Sequence, residues 1–161
     1  MSANVHFESA RSWADARRLL SFAPSEPAYT AGRALRSLRV HLRDHRQREL
    51  ELTGRTLEAH YGDFVLSQSH PGSDEAKRLA LEVTYGRSPQ PVVIAHHEAR
   101  LYEHGPEPPP DDIDGRLPAV VTWHDNGRFF LIASQELPTD TLMEIAISVY
   151  RSPPRGGGRR R

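Results

Sequence analysis

Nine histidines, 21 acidic residues and no cysteine set the terms for any chemistry in this 161-residue chain. Without cysteine there are no disulfides, thiolate metal sites or thiol nucleophiles, so a reaction would have to rest on imidazole and carboxylate. The densest group is His96-His97-Glu98, with His104 nearby. Adjacent histidines on a strand point to opposite faces and do not chelate together, and His96 with Glu98 would need a third ligand from elsewhere. This group reads as a polar turn or surface row. Two histidine–carboxylate pairs, His60 with Glu58 and His124 with Asp125, are the candidates for acid–base work in a hydrolase-type enzyme. Asp44-His45 is a fragment of a triad, with no serine in a strained turn to complete it. The run Asp111–Gly115 resembles a calcium loop. Aligning Gly115 with that loop's invariant glycine puts Pro110 and Val121 where oxygen donors are required. The His-Glu-x-x-His and Gly-x-Ser-x-Gly patterns are absent, and no glycine-rich cradle lies between a strand and a helix. No catalytic residue, metal or cofactor is expected.

The elements that would position such residues are clearest between Ala119 and Tyr150. Asn126-Gly127 suits the two central positions of a type I′ turn. A two-residue loop there pairs Asp125 with Arg128, Trp123 with Phe130 and Val121 with Ile132 on one face, a core face with an ion pair at its rim. The other face carries His124 with Phe129, Thr122 with Leu131 and Val120 with Ala133. It is half apolar, less polar than a face open only to water. Pro138 starts a helix in which Leu142, Ile145, Ala146 and Val149 form one apolar stripe, with Met143, Ile147 and Tyr150 beside it.

Upstream, Leu38, Val40 and Leu42 alternate with Arg39, His41 and Arg43 as a half-buried strand. The strands Thr56–Tyr61 and Phe64–Ser69 flank Gly62-Asp63, where glycine suits a type II′ turn that pairs Ala59 with Leu66 and His60 with Val65. Pro91–Ala95 and Glu98–Glu103 read as two more strands, broken at His96-His97. Ser9–Phe22 reads as a helix with Trp13, Ala16 and Leu20 on one face, and Asp74–Val83 as a second candidate. His104–Pro118 is a proline-rich acidic loop. The fold class expected is α+β: a curved antiparallel sheet of about six to eight strands, with an N-terminal and a C-terminal helix packed on it. Residues 1–151 form one domain, and 152–161 a disordered Arg/Gly/Pro tail.

Formal net charge is zero, but five of the 21 basic residues lie in the last eleven positions, which hold no acid. Residues 1–150 therefore hold 16 basic against 21 acidic residues, a balance that argues against broad nucleic-acid affinity in the folded body. An Arg-rich tail could recruit an acidic partner in a structural accessory role. The row Arg39, His41, Arg43, Arg46 and Arg48 reads as a solvated face. No run of about 18 apolar residues exists and the N-terminus has no export pattern, so the expectation is a soluble cytoplasmic protein without membrane insertion.

The closing pattern, Thr122-Trp123, Asn126-Gly127, Phe129–Leu131, Ser134, Leu137, Leu142 and Ile145-Ala146-Ile147-Ser148, resembles the C-terminal signature of a bacterial domain of unknown function. That domain occurs in lipoproteins and behind anti-sigma-factor membrane helices, and is loosely similar to lipoprotein-carrier and RseB-type half-barrels. The resemblance implies a curved antiparallel sheet that encloses an apolar groove for lipid or peptide, in an extracytoplasmic setting that this chain's lack of a lipobox does not match. It carries over no catalytic residues. Together these readings favour a non-enzymatic interaction or ligand-sensing module that binds an apolar small molecule or partner segment. Phe129, Leu131 and His124 would line the groove, with Tyr61, Phe64, Leu66 and Tyr102 from neighbouring strands.

Overall fold

The computed structural model describes residues 6–42, 55–69, 87–105 and 117–151. Its strands are β1 (His6–Ala10), β2 (Ser37–Leu42), β3 (Thr56–His60), β4 (Val65–Ser69), β5 (Gln90–Ile94), β6 (His97–Tyr102), β7 (Ala119–Asp125) and β8 (Arg128–Ser134). Two helices accompany them among the described residues, α1 (Trp13–Arg18) and α2 (Thr139–Ser148). The candidate helix at 74–83, the Asp44-His45 pair, the Asp111–Gly115 run and the tail from 152 lie outside the described residues.

All eight strands form one open antiparallel sheet in the order β1-β2-β3-β4-β8-β7-β6-β5. It is two four-stranded meanders joined by their last strands. The joint, with Leu66 opposite Ile132 and Gln68 opposite Phe130, decides which side chains share a face. One face carries Leu38, Val40, Leu57, Ala59, Leu66, Val121, Trp123, Phe130 and Ile132, all at most 2 % exposed, and this is the main core. Trp123 stacks on Phe130 with ring centroids 4.8 Å apart.

Three pieces cover that face. α1 contributes Ala16, fully buried, and is capped by the Ser12 hydroxyl, which accepts from the Asp15 amide at 3.0 Å. α2 buries Leu142, Ile145 and Ala146 and packs on β7, β8 and β5. Between them runs the link from Leu19 to Arg36, tied down by polar side chains. Buried Gln68 bonds both the amide and the carbonyl of Ser25 at 2.8 Å. The Arg128 guanidinium donates to the Ala23 carbonyl and the Ser25 hydroxyl, and the Ser148 hydroxyl accepts from the Tyr29 amide. A buried polar group needs a partner to be tolerated, and each of these finds one on the link's backbone or side chains.

Three local expectations are corrected. The span Ser9–Phe22 is not one helix: Ser9 and Ala10 belong to β1, paired with Arg39 and Leu38, and the helix has six residues. The break between β5 and β6 falls at Ala95-His96, with φ of 47° and 73°, one residue before the expected pair. Holding two non-glycine residues there costs about 1–2 kcal/mol each, which the strand pairing on either side must offset. Arg128 points to the link, while Asp125 meets His97 at 3.1 Å. The remaining registers agree: Asn126 and Gly127 have φ of 52° and 84°, and the pairs from Asp125–Arg128 to Val120–Ala133 are as expected. Gly62 has φ of 89°, with Ala59 opposite Leu66 and His60 opposite Val65. Of the second stripe of α2, Met143 packs against the main core, while Ile147 is 42 % exposed and Tyr150, just past the helix end, 36 %.

Candidate functional site

Alternation along β7 and β8 puts Val120, Thr122 and His124 opposite Ala133, Leu131 and Phe129 on the face away from both helices. Tyr102 joins from β6, opposite Val120, and Ser67 and Ser69 from β4, opposite Leu131 and Phe129. Tyr102, Val120, Phe129 and Leu131, with Ala133 against them, form a second apolar cluster separate from the main core. Its centre is dry: Val120 is fully buried, Leu131 and Tyr102 are 8 % exposed and Phe129 is 9 % exposed. His124 is exposed at the rim, tilted against the Phe129 ring with centroids 4.8 Å apart. Four of the seven expected lining residues, Phe129, Leu131, His124 and Tyr102, are therefore brought together.

Tyr61 and Phe64 are not. Ala59 and Leu66 belong to the core face, and the side chains two positions along the same strands go with them. Tyr61 and Phe64 stack at 4.6 Å inside the main core, at 4 % and 1 % exposure, and burial pushes the Tyr61 phenol up. Leu66 is a core residue for the same reason.

Beyond β4 the same second face turns polar. The Glu58 carboxylate lies between two imidazoles, with His60 Nε2 at 2.9 Å from Oε1 and His41 Nε2 at 3.1 Å from Oε2. The His60 contact is a hydrogen bond, whereas His41 approaches off the hydrogen-bond direction and is an ion-pair contact. Glu58 raises His41 above its ordinary value, against the opposing pull of burial and Arg39. Burial would raise Glu58, but the His41 and His60 contacts outweigh it and hold the carboxyl below the usual range. The expected His60–Glu58 pair thus exists and includes His41, whose place diagonally across the strand boundary is visible only in the register. His124 and Asp125 are adjacent in β7 and so lie on opposite faces of the sheet.

A third polar group lies on the core side, where the β5–β6 and β7–β8 turns meet the end of α2. The Trp123 indole N–H donates to the Tyr150 hydroxyl at 2.8 Å. The His97 ring stacks on Tyr150 at 5.3 Å, with Nε2 at 3.1 Å from Asp125 Oδ1. Burial, aided by Asp125, pushes the Tyr150 phenol up to about 12. This arrangement fastens the helix end to the sheet. Among the described residues no three metal-ligating side chains converge on a common point, and His96 is in the turn rather than beside Glu98. No helix among them is long and apolar enough to cross a membrane. Comparison of the chain with known protein families, curated proteins and solved structures finds no match.

Proposed function

We propose that this domain is a non-enzymatic interaction or ligand-sensing module, taking an apolar small molecule or an apolar partner segment on the second face of its sheet. One observation carries the reading: an apolar cluster of Tyr102, Val120, Phe129 and Leu131 on the face opposite the main core and both helices. A sheet that needs only one covered face keeps the other polar, as β2 and β3 do here with Arg39, His41, Glu58 and His60. A buried apolar cluster with Thr122 within it and exposed His124 at its rim matches the make-up of small-molecule sites, where a few polar groups orient an apolar ligand. What the resemblance of residues 119–150 implies points the same way.

The test is titration of an environment-sensitive apolar dye into the full chain, followed by competition with unlabelled apolar compounds. Saturable binding is expected, and its loss in Phe129→Asp and, independently, Leu131→Gln. Thermal melts of both variants must show a cooperative transition for the comparison to count. Absence of saturable binding by the wild-type chain sinks the proposal. A hydrolase-type reading is favoured by one observation, the hydrogen bond from His60 to Glu58. It predicts ester or amide turnover that Glu58→Gln abolishes, and turnover indifferent to that change removes it.

A further inference from the structure

We propose that His41, Glu58 and His60 form a proton-operated clamp across the β2–β3 seam, tightest in mildly acidic solution. The seam matters because in the strand ladder β1 and β2 join the rest of the sheet through β3. α1 packs on β1 and β2, so this boundary is where the N-terminal edge joins the strand ladder, beside the link that also ties it to Gln68, Arg128 and Ser148. One carboxylate in β3 has both oxygens engaged, Oε1 by an imidazole of its own strand and Oε2 by an imidazole of β2. The second contact crosses the boundary, and its strength depends on whether His41 carries a proton.

The surroundings leave few competitors. From β1, Phe7 faces His41 with ring centroids 6.0 Å apart, and Ser9 follows on the same face. From β2 the charged neighbour is Arg39, whose guanidinium lies over Phe7 at 5.2 Å. β3 offers Thr56 beside the clamp itself, and β4 offers Ser67 and Ser69, none of them titrating in this range. Among the described residues, the carboxylate that faces His41 is Glu58.

The pH window follows from the two directions. His41 is raised by Glu58 above its usual 6.5, so its contribution is complete below that value and is lost as pH rises through the raised one. Glu58 is held below its usual 4.5, so its contribution is complete above that value and is lost as pH falls through the lowered one. Both are present in full between 4.5 and 6.5. The side chains keep 29–31 % of their surface exposed, so solvent screens the contact. The expected effect is about a two- to fivefold change in the folding equilibrium constant.

The experiment is urea denaturation of the full chain at pH 5.5 and pH 8.5, for wild type, Glu58→Gln and His41→Gln. Wild type is expected to lose about two- to fivefold more of its folding constant over that step than either variant. Equal pH dependence in wild type and Glu58→Gln overturns the clamp. Should a variant fail to fold, the His41 ring-proton titration of the wild-type chain by NMR decides instead. A midpoint above 6.5 is the expected result, and one at or below it overturns the proposal.

Discussion

Gln68 sits where a strand should carry an apolar side chain. It is opposite Leu57 on one side and Phe130 on the other, with no exposed surface. Its carboxamide accepts from the Ser25 amide and donates to the Ser25 carbonyl, both at 2.8 Å, so the side chain supplies a rung that a neighbouring strand would otherwise supply. Gln68→Leu keeps the volume and deletes both bonds. Each is worth about 0.5–1.5 kcal/mol net, and a stranded buried backbone group about 1–3 kcal/mol. Ser25 is only half-buried, so water can partly replace the lost partners, and a buried leucine regains some free energy from its own apolar surface. The expected net loss is about 1–2 kcal/mol, a fall of about 2–8 °C in Tm for a domain of this size. Gln68→Glu is the sharper comparison. It can still accept from the Ser25 amide, but sets a carboxylate against the Ser25 carbonyl oxygen. It should be less stable than Gln68→Leu at pH 8, and the gap should narrow as the pH falls and the carboxyl takes up a proton. Urea and thermal unfolding measure both, and amide exchange at Ser25 reports the link directly. If Gln68→Leu melts with or above wild type and Ser25 keeps its protection, the strap does not depend on Gln68.

Two further perturbations follow from backbone geometry. Replacing Ala95-His96 by Asn-Gly gives the β5–β6 turn residues suited to its positive φ values and should raise stability by about 1 kcal/mol. A lower urea midpoint would contradict the turn geometry. Gly105→Ala would place a Cβ 2.5 Å from the Leu117 Cβ, an atom no change of rotamer moves away, and should cost about 1–3 kcal/mol. A neutral substitution there would show that the Gly105 and Leu117 segments separate easily, despite the hydrogen bond from the Gly105 amide to the Leu117 carbonyl.

Features set by near neighbours in sequence were legible, and those set by distant ones were not. Asn126-Gly127 and Gly62 announce their turns because few other residues tolerate those angles, and each turn then dictates its own register. The buried stripe of α2 follows from helical periodicity. β1 was hidden because its partner β2 lies beyond an intervening helix and link, while Trp13, Ala16 and Leu20 extend a helical pattern backwards over Ser9 and Ala10. Ala95 and His96 gave no signal, since neither type favours the angles it adopts. The candidate site shows the same division. Within the β7–β8 hairpin, Phe129, Leu131 and His124 were correctly assigned to one face. For Tyr61 and Phe64 the local sequence gives no choice of face, and the β4–β8 register puts them in the main core. Only a contact between remote segments could have decided that. Gln68 did leave a trace: it shares a strand face with Leu66, and a polar residue at a core position points to a tethering role.

Ala95-His96 also has a consequence for how molecules of this protein meet one another. A two-residue loop makes Ile94–His97 a hydrogen-bonded pair, so the backbone groups of Pro91 and Val93 point outward from β5. Proline has no N–H, which leaves Val93 as the one outward amide within this strand. An incoming strand would find half the donors it needs, beside a side chain that is 61 % exposed but isolated. Pairing of a further strand at this edge is therefore weakened by a single imino acid, and Pro91→Thr would restore the second outward donor.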